Sequence, residues 1–137
     1  MVNLEEYNDL THAVIGCAMR VHSKLGNGFQ EVIYQRALAI ELKKLNLIFQ
    51  RETEMGIYYD EEHIGTRRVD FLIDERLLVE LKATTKIEDV HYAQILNYLE
   101  AFKLPVGLLI NFGMKKLEFK RFVKTPHKPS LSLPSDL

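Results

Sequence analysis

The chemistry this sequence suggests rests on Asp70, Glu80 and Lys82, in the stretch RVDFLIDERLLVELKA. An acid, an acid and a lysine stand inside two apolar runs that otherwise read as buried strands. With Asp74-Glu75-Arg76 as a hairpin loop, Val69 faces Leu81, Phe71 faces Val79 and Ile73 faces Leu77. Every odd position is then apolar, and that face is expected to pack on the core. On the other face Asp70 meets Glu80 and Arg68 meets Lys82, and Glu80 and Lys82 share a face because strands alternate with period two. Two carboxylates about 5 Å apart at Cβ repel each other. Arg68 and Lys82 could pair with the acids, one acid could hold a proton, or a divalent cation could sit between them. The residues alone leave these three open.

The elements that must hold these groups follow from periodicity. Apolar residues at helical spacing (Val14, Cys17 or Ala18, Val21, Leu25) predict a helix over about 4–25, stopped by Gly26-Asn27-Gly28. A second helix is predicted over about 30–45, through Tyr34, Leu38 and Leu42. Strands are expected at 48–59 and 63–73, around a polar turn at Asp60 to Glu62, and at 77–83. A third helix over about 87–102, beginning near Thr85, leads to a buried strand in PVGLLINF. A last strand, LEFKRFV, follows a turn at Gly113. The order α-α-β-β-β-α-β-β describes an α/β fold, a mixed sheet flanked by helices. The 106–112 run should lie beside the 77–83 strand through a right-handed helical crossover.

Composition narrows the function classes. The chain has 137 residues, of which 47% are hydrophobic and 27% charged. That describes one globular domain, expected over 1–124, with a loose tail at 125–137 that holds three of the four prolines. No apolar run approaches the roughly 20 residues of a membrane span, and the acidic start MVNLEEYNDL is unlike a signal peptide, so a cytoplasmic protein is expected. The single cysteine, Cys17, excludes an internal disulfide framework and reads as a small core residue on a helix. A net charge of -1 argues against nonspecific coating of nucleic acid, although KKLEFKRFVK forms a local basic stretch that would equally suit an edge strand. The five histidines show no common spacing, and His22 and His91 are the only ones considered as neighbours of the site. Asn111, ending the LLIN run, is expected to hydrogen-bond at a strand end.

Asp70 followed by Glu80-x-Lys82 on the adjoining strand resembles the signature of the PD-(D/E)XK nuclease superfamily, with Val69 in the place of the usual proline. GFQEVIY reads as G-x-x-E-x-x-Y through Gly28, Glu31 and Tyr34, which resembles the small bacterial GxxExxY proteins grouped in that superfamily. QILNYL supplies Gln94 and Tyr98, which resemble a Q-x-x-x-Y helix motif of several branches. The resemblance runs from about Leu10 to Val123, in the right order. Each motif also has a structural reading: Glu31 suits a helix start, and Gln94 and Tyr98 share a helix face bordering the core.

The resemblance implies a restriction-endonuclease-like fold and metal-dependent phosphodiester hydrolysis in nucleic acid, DNA before RNA. Asp70 and Glu80 would ligate Mg²⁺ or Mn²⁺, with the Leu81 backbone carbonyl as a further ligand and Glu31 reaching in directly or through water. Lys82 and Gln94 would complete the catalytic set. Arg68, Tyr34 and Tyr98 would contact substrate, although Arg68 could instead pair with Glu80. No membrane partner is implied, and a homodimer or larger complex stays open. The alternative is a non-catalytic module, on the same fold, that binds nucleic acid or protein. A metabolic enzyme finds little support, since there is no Gly-rich phosphate loop and no nucleophile–histidine arrangement.

Overall fold

The computed structural model describes residues 3–124. The chain opens with helix α1 (Leu4–Leu25), whose N-cap Asn3 accepts the Glu5 N–H and whose first turn carries Glu5 and Glu6 against the positive helix end. Its buried stripe is Tyr7, Leu10, Val14, Cys17, Ala18 and Val21. Gly26, at φ 75°, turns the chain out of the helix. Helix α2 (Glu31–Lys44) packs against α1 through Tyr34, Leu38 and Leu42.

Five strands follow: β1 (Phe49–Tyr59), β2 (Glu62–Ile73), β3 (Leu77–Lys82), then helix α3 (Asp89–Phe102), β4 (Val106–Asn111) and β5 (Glu118–Val123). They form one sheet in the order β1-β2-β3-β4-β5, with β3 parallel to β4 and the other pairs antiparallel. The parallel pair needs a crossover, which α3 supplies. The order α-α-β-β-β-α-β-β is the expected one, and the fold is restriction-endonuclease-like. Helix α3 begins at Asp89, after a reciprocal capping box between Glu88 and His91, a little later than the predicted start.

The sheet separates two cores. One lies under α1 and α2 and takes Phe71, Ile73, Leu77, Val79, Leu81, Leu108 and Ile110. The other lies under α3 and takes Leu78, Ile95, Leu99 and Leu109. Strand β3 is buried on both faces, apart from half-buried Lys82, as a central strand in a helix-covered sheet must be. Strand β5 is an edge strand, the structural reading of its basic stretch.

The hairpin register holds where the ladder exists: Phe71 pairs with Val79, Leu72 with Leu78 and Ile73 with Leu77. The expected continuation does not form. Neither Asp70 with Glu80 nor Arg68 with Lys82 pairs through the backbone. On the other side of β2 the register runs from Arg51–Phe71 to Thr53–Val69 and skips Glu52, at φ 53°, and Asp70. The strict odd-face expectation also fails at Val69, which packs in the α3 core while Phe71 packs in the α1–α2 core. The alternation therefore changes phase at Asp70. The loose tail predicted for 125–137 lies outside the described residues.

Candidate active site

The break in the ladder is where the acids meet. The Asp70 N–H donates to Glu80 Oε1 at 3.1 Å, and the Leu81 N–H donates to Asp70 Oδ2 at 2.8 Å. Each carboxylate thus accepts a backbone N–H of the opposite strand. The other Asp70 oxygen, Oδ1, accepts from Gln35 Nε2 at 3.0 Å. Gln35 is buried on α2, one turn beyond Glu31, so the two share a helix face. Sequence reasoning passed over Gln35. The i, i+4 spacing from Glu31 was the available signal, and it gained meaning only once α2 was seen to pack over Asp70.

The electrostatics follow from this placement. Glu80 is 8% exposed, and burial pushes its carboxyl up to about 8, with repulsion from Asp70 adding to the shift. The Asp70 N–H and Lys82 oppose it, while Glu31 adds further repulsion. Asp70 is also raised, first by burial, against the stabilising bonds from Leu81 and Gln35 and the charge of Lys82. Glu31, an exposed residue at the first turn of α2, is raised too, by partial desolvation of its carboxyl and then by repulsion from Asp70, with Lys82 opposing. Glu31, Asp70, Glu80 and Lys82 therefore share one electrostatic neighbourhood. Among the described residues no ion pair within 4 Å includes Lys82.

Other expected site residues are placed differently. Arg68 pairs with Glu54 of β1 at 3.4 Å, both side chains well exposed, and not with Glu80. Tyr34 is fully buried; its hydroxyl donates to Gly26 O at 2.5 Å and accepts the Phe29 N–H at 3.1 Å. Its ring stacks on Phe112 with centroids 4.7 Å apart. In this structure the Tyr34 hydroxyl fixes the loop that leads into Glu31. Gln94 and Tyr98 line a cavity of about 410 Å³ on α3, together with Arg67. Tyr98 has its hydroxyl raised by burial and then by Glu80, with Arg67 opposing, and it packs in the α3 core with Val69 and Leu78. Gln94 is exposed.

His22 bonds Met114 O at 2.8 Å and His91 caps α3, so neither joins the acids. Asn111 does serve a strand end: its side chain accepts from the Thr84 and Gly113 N–H groups and donates to Thr84 O, each at 3.0 Å. With the Phe112 N–H on Lys82 O at 2.8 Å, it holds the end of β3 just beyond Lys82.

The donor chemistry fits a hard divalent cation. A buried and a half-buried carboxylate crowd one another and a third stands nearby, an excess of negative charge that a cation would relieve. Among the described residues no three His, Cys, Asp or Glu side chains are close enough to hold a metal by themselves. A magnesium-type site does not require that many, since it commonly uses one or two carboxylates with water and phosphate oxygens.

A mixed sheet of this order, with two acids and a lysine where two central strands part, defines a nuclease-like domain. The chain belongs to the PD-(D/E)XK nuclease superfamily, whose family model matches residues 8–122. Among solved structures the chain is similar to SSO0001, with a TM-score of 0.54 at 19% identity, over 70% of this chain and 50% of that one. The chain thus spans half the length of that protein, and the likeness concerns the fold. No curated protein matches the sequence.

Proposed function

We propose that this chain is a metal-dependent nuclease of the GxxExxY branch, hydrolysing phosphodiester bonds, with DNA as its first substrate. The observation that carries the reading is the Asp70–Glu80 pair: a half-buried and a buried acid, each accepting the other strand's N–H and both raised, beside Lys82, which is in no ion pair among the described residues. Such perturbed groups cluster at functional sites. The G-x-x-E-x-x-Y residues divide their labour in support. Tyr34 secures the 26–29 loop, and Glu31 faces the acids.

Asp70 and Glu80 would hold Mg²⁺ or Mn²⁺, with the Leu81 carbonyl and Glu31 as further donors. Such a cation, when bound, polarises a phosphoryl oxygen and makes water more acidic. Gln35 and the Leu81 N–H fix the rotamer of Asp70, and the Asp70 N–H fixes that of Glu80. Lys82 neutralises charge that develops on the phosphate and orients the attacking water. Gln94 and Tyr98 approach from α3 and orient the substrate.

The test is cleavage of single-stranded, double-stranded and branched DNA and of RNA, with Mg²⁺, with Mn²⁺ and with chelator. Cleavage that needs metal and vanishes in Glu80→Gln supports the reading; its absence on every substrate, joined to no Mn²⁺ binding, removes it. The second reading, a binding module on this fold, draws on the net charge of -1 and the small size of the chain, 137 residues.

A further inference from the structure

The cavity on α3 lies on the opposite face of the sheet from Glu31 and Gln35, and none of the metal ligands proposed above lines it. It holds about 410 Å³. Arg67 lines one side; its guanidinium donates one N–H to Thr66 O and is in no ion pair among the described residues. Gln94 and Asn97 present side-chain amides, both exposed and without hydrogen-bond partners among the described residues. Ile57 and Val90 supply apolar surface. Buried Tyr98 also lines the cavity and packs in one apolar cluster with Val69, the residue before Asp70, and Leu78, two residues before Glu80.

We propose that this cavity receives one unpaired nucleotide next to the scissile phosphate, so that the substrate is single-stranded or locally unpaired. The inference rests on the nuclease reading for what lies at Glu80. A cation beside two amides and apolar walls matches a nucleotide: the guanidinium takes phosphate, the amides take base edges, and the walls take the flat faces. A concave site of this kind admits a base only after it has left its stack, whereas the paired bases of a duplex have their faces and pairing edges occupied. Tyr98 links the two places. A strand whose phosphate reaches Glu80 would set its neighbouring nucleotide against Arg67.

Binding and cleavage test the two readings separately. Binding is measured in chelator by fluorescence anisotropy, using a thymidine oligonucleotide, its abasic counterpart of equal length and charge, and a blunt duplex. The wild-type chain should favour the thymidine strand by about tenfold over each of the others, the scale of one seated base. Ala93→Phe, which fills the cavity from α3, and Asn97→Ala should reduce that preference with unchanged melting temperature. Equal affinity for the thymidine and abasic strands, or a preference untouched by Ala93→Phe in the folded protein, would overturn the proposal. A preference that Ala93→Phe abolishes, in a protein that never cleaves with Mn²⁺, keeps the cavity as a nucleotide site and removes the nuclease reading. Metal-dependent cleavage with no strand preference does the reverse.

Discussion

Glu80 accepts the backbone N–H of Asp70 at 3.1 Å across β2 and β3, just where the ladder between those strands stops. A side-chain carboxylate takes the place of a strand carbonyl. The sheet thereby gives up a regular pairing and gains two acids aimed at the same space. Replacing Glu80 by Gln keeps the shape and the acceptor oxygen and removes the charge. Glu80→Gln should abolish metal-dependent cleavage and raise the apo melting temperature by a few degrees at pH 9, where the wild type must bury a carboxylate. Calorimetry beside the cleavage assay checks both.

Proton linkage gives a second prediction. Glu80 holds its proton to about 8 in the folded chain, against 4.5 for an ordinary glutamate. Between those values the native state binds a proton that the unfolded chain has released. Stability from this group is therefore intact below 4.5 and lost as pH rises through about 8. The urea midpoint of wild type relative to Glu80→Gln should fall from pH 5 to pH 9. Mn²⁺ affinity should move the opposite way, rising with pH because the cation must displace that proton. A flat difference in midpoints would show that Glu80 is not buried as the acid.

Gln35→Leu tests how Asp70 is held. The leucine fits the buried position but gives nothing to Asp70 Oδ1. The expected loss is about 10–100-fold in cleavage rate or metal affinity, the usual cost of removing a partner that orients a ligand. The stability cost should be about 1–2 kcal/mol. Gln35→Glu, which sets a third acid against Asp70, should be worse for folding above neutral pH and bind Mn²⁺ with a steeper pH dependence.

Tyr34→Phe keeps the stack on Phe112 and removes the hydroxyl that joins Gly26 O to the Phe29 N–H. A loss of about 1–2 kcal/mol in stability is expected, with KM for nucleic acid unchanged. A large rise in KM at unchanged stability would return Tyr34 to the substrate.

Gly113→Ala probes the clamp behind Lys82. A Cβ there would lie 2.3 Å from Thr84 O and 2.4 Å from Thr84 N, both backbone atoms that cannot rotate aside. The substitution should cost about 3 kcal/mol, the upper part of the overpacking range, and should lower the melting temperature markedly. A variant as stable as wild type would mean that the Ala83–Thr84 backbone yields easily, and with it the placement of Lys82.

The order of elements, the Phe71–Val79 and Ile73–Leu77 register, and the acid-acid-lysine set were all legible in the sequence. They depend on the periods of two and 3.6 and on turn residues, which act over a few positions. Asn111 as a strand-end residue and Cys17 as core were legible for the same reason. Only the tertiary structure decided that the ladder parts at Asp70, where the two carboxylates take the cross-strand N–H groups and Gln35, thirty-five positions away on another element, holds the other Asp70 oxygen. Competition for partners sent Arg68 to Glu54 on β1, a strand whose alignment with β2 no local pattern around Arg68 encodes. The same packing buried Tyr34 and brought Arg67 beside Tyr98. Residue types and spacing fix which groups are available and which face each takes; which group meets which is settled by the packing of distant elements, where burial makes every unpaired polar group costly.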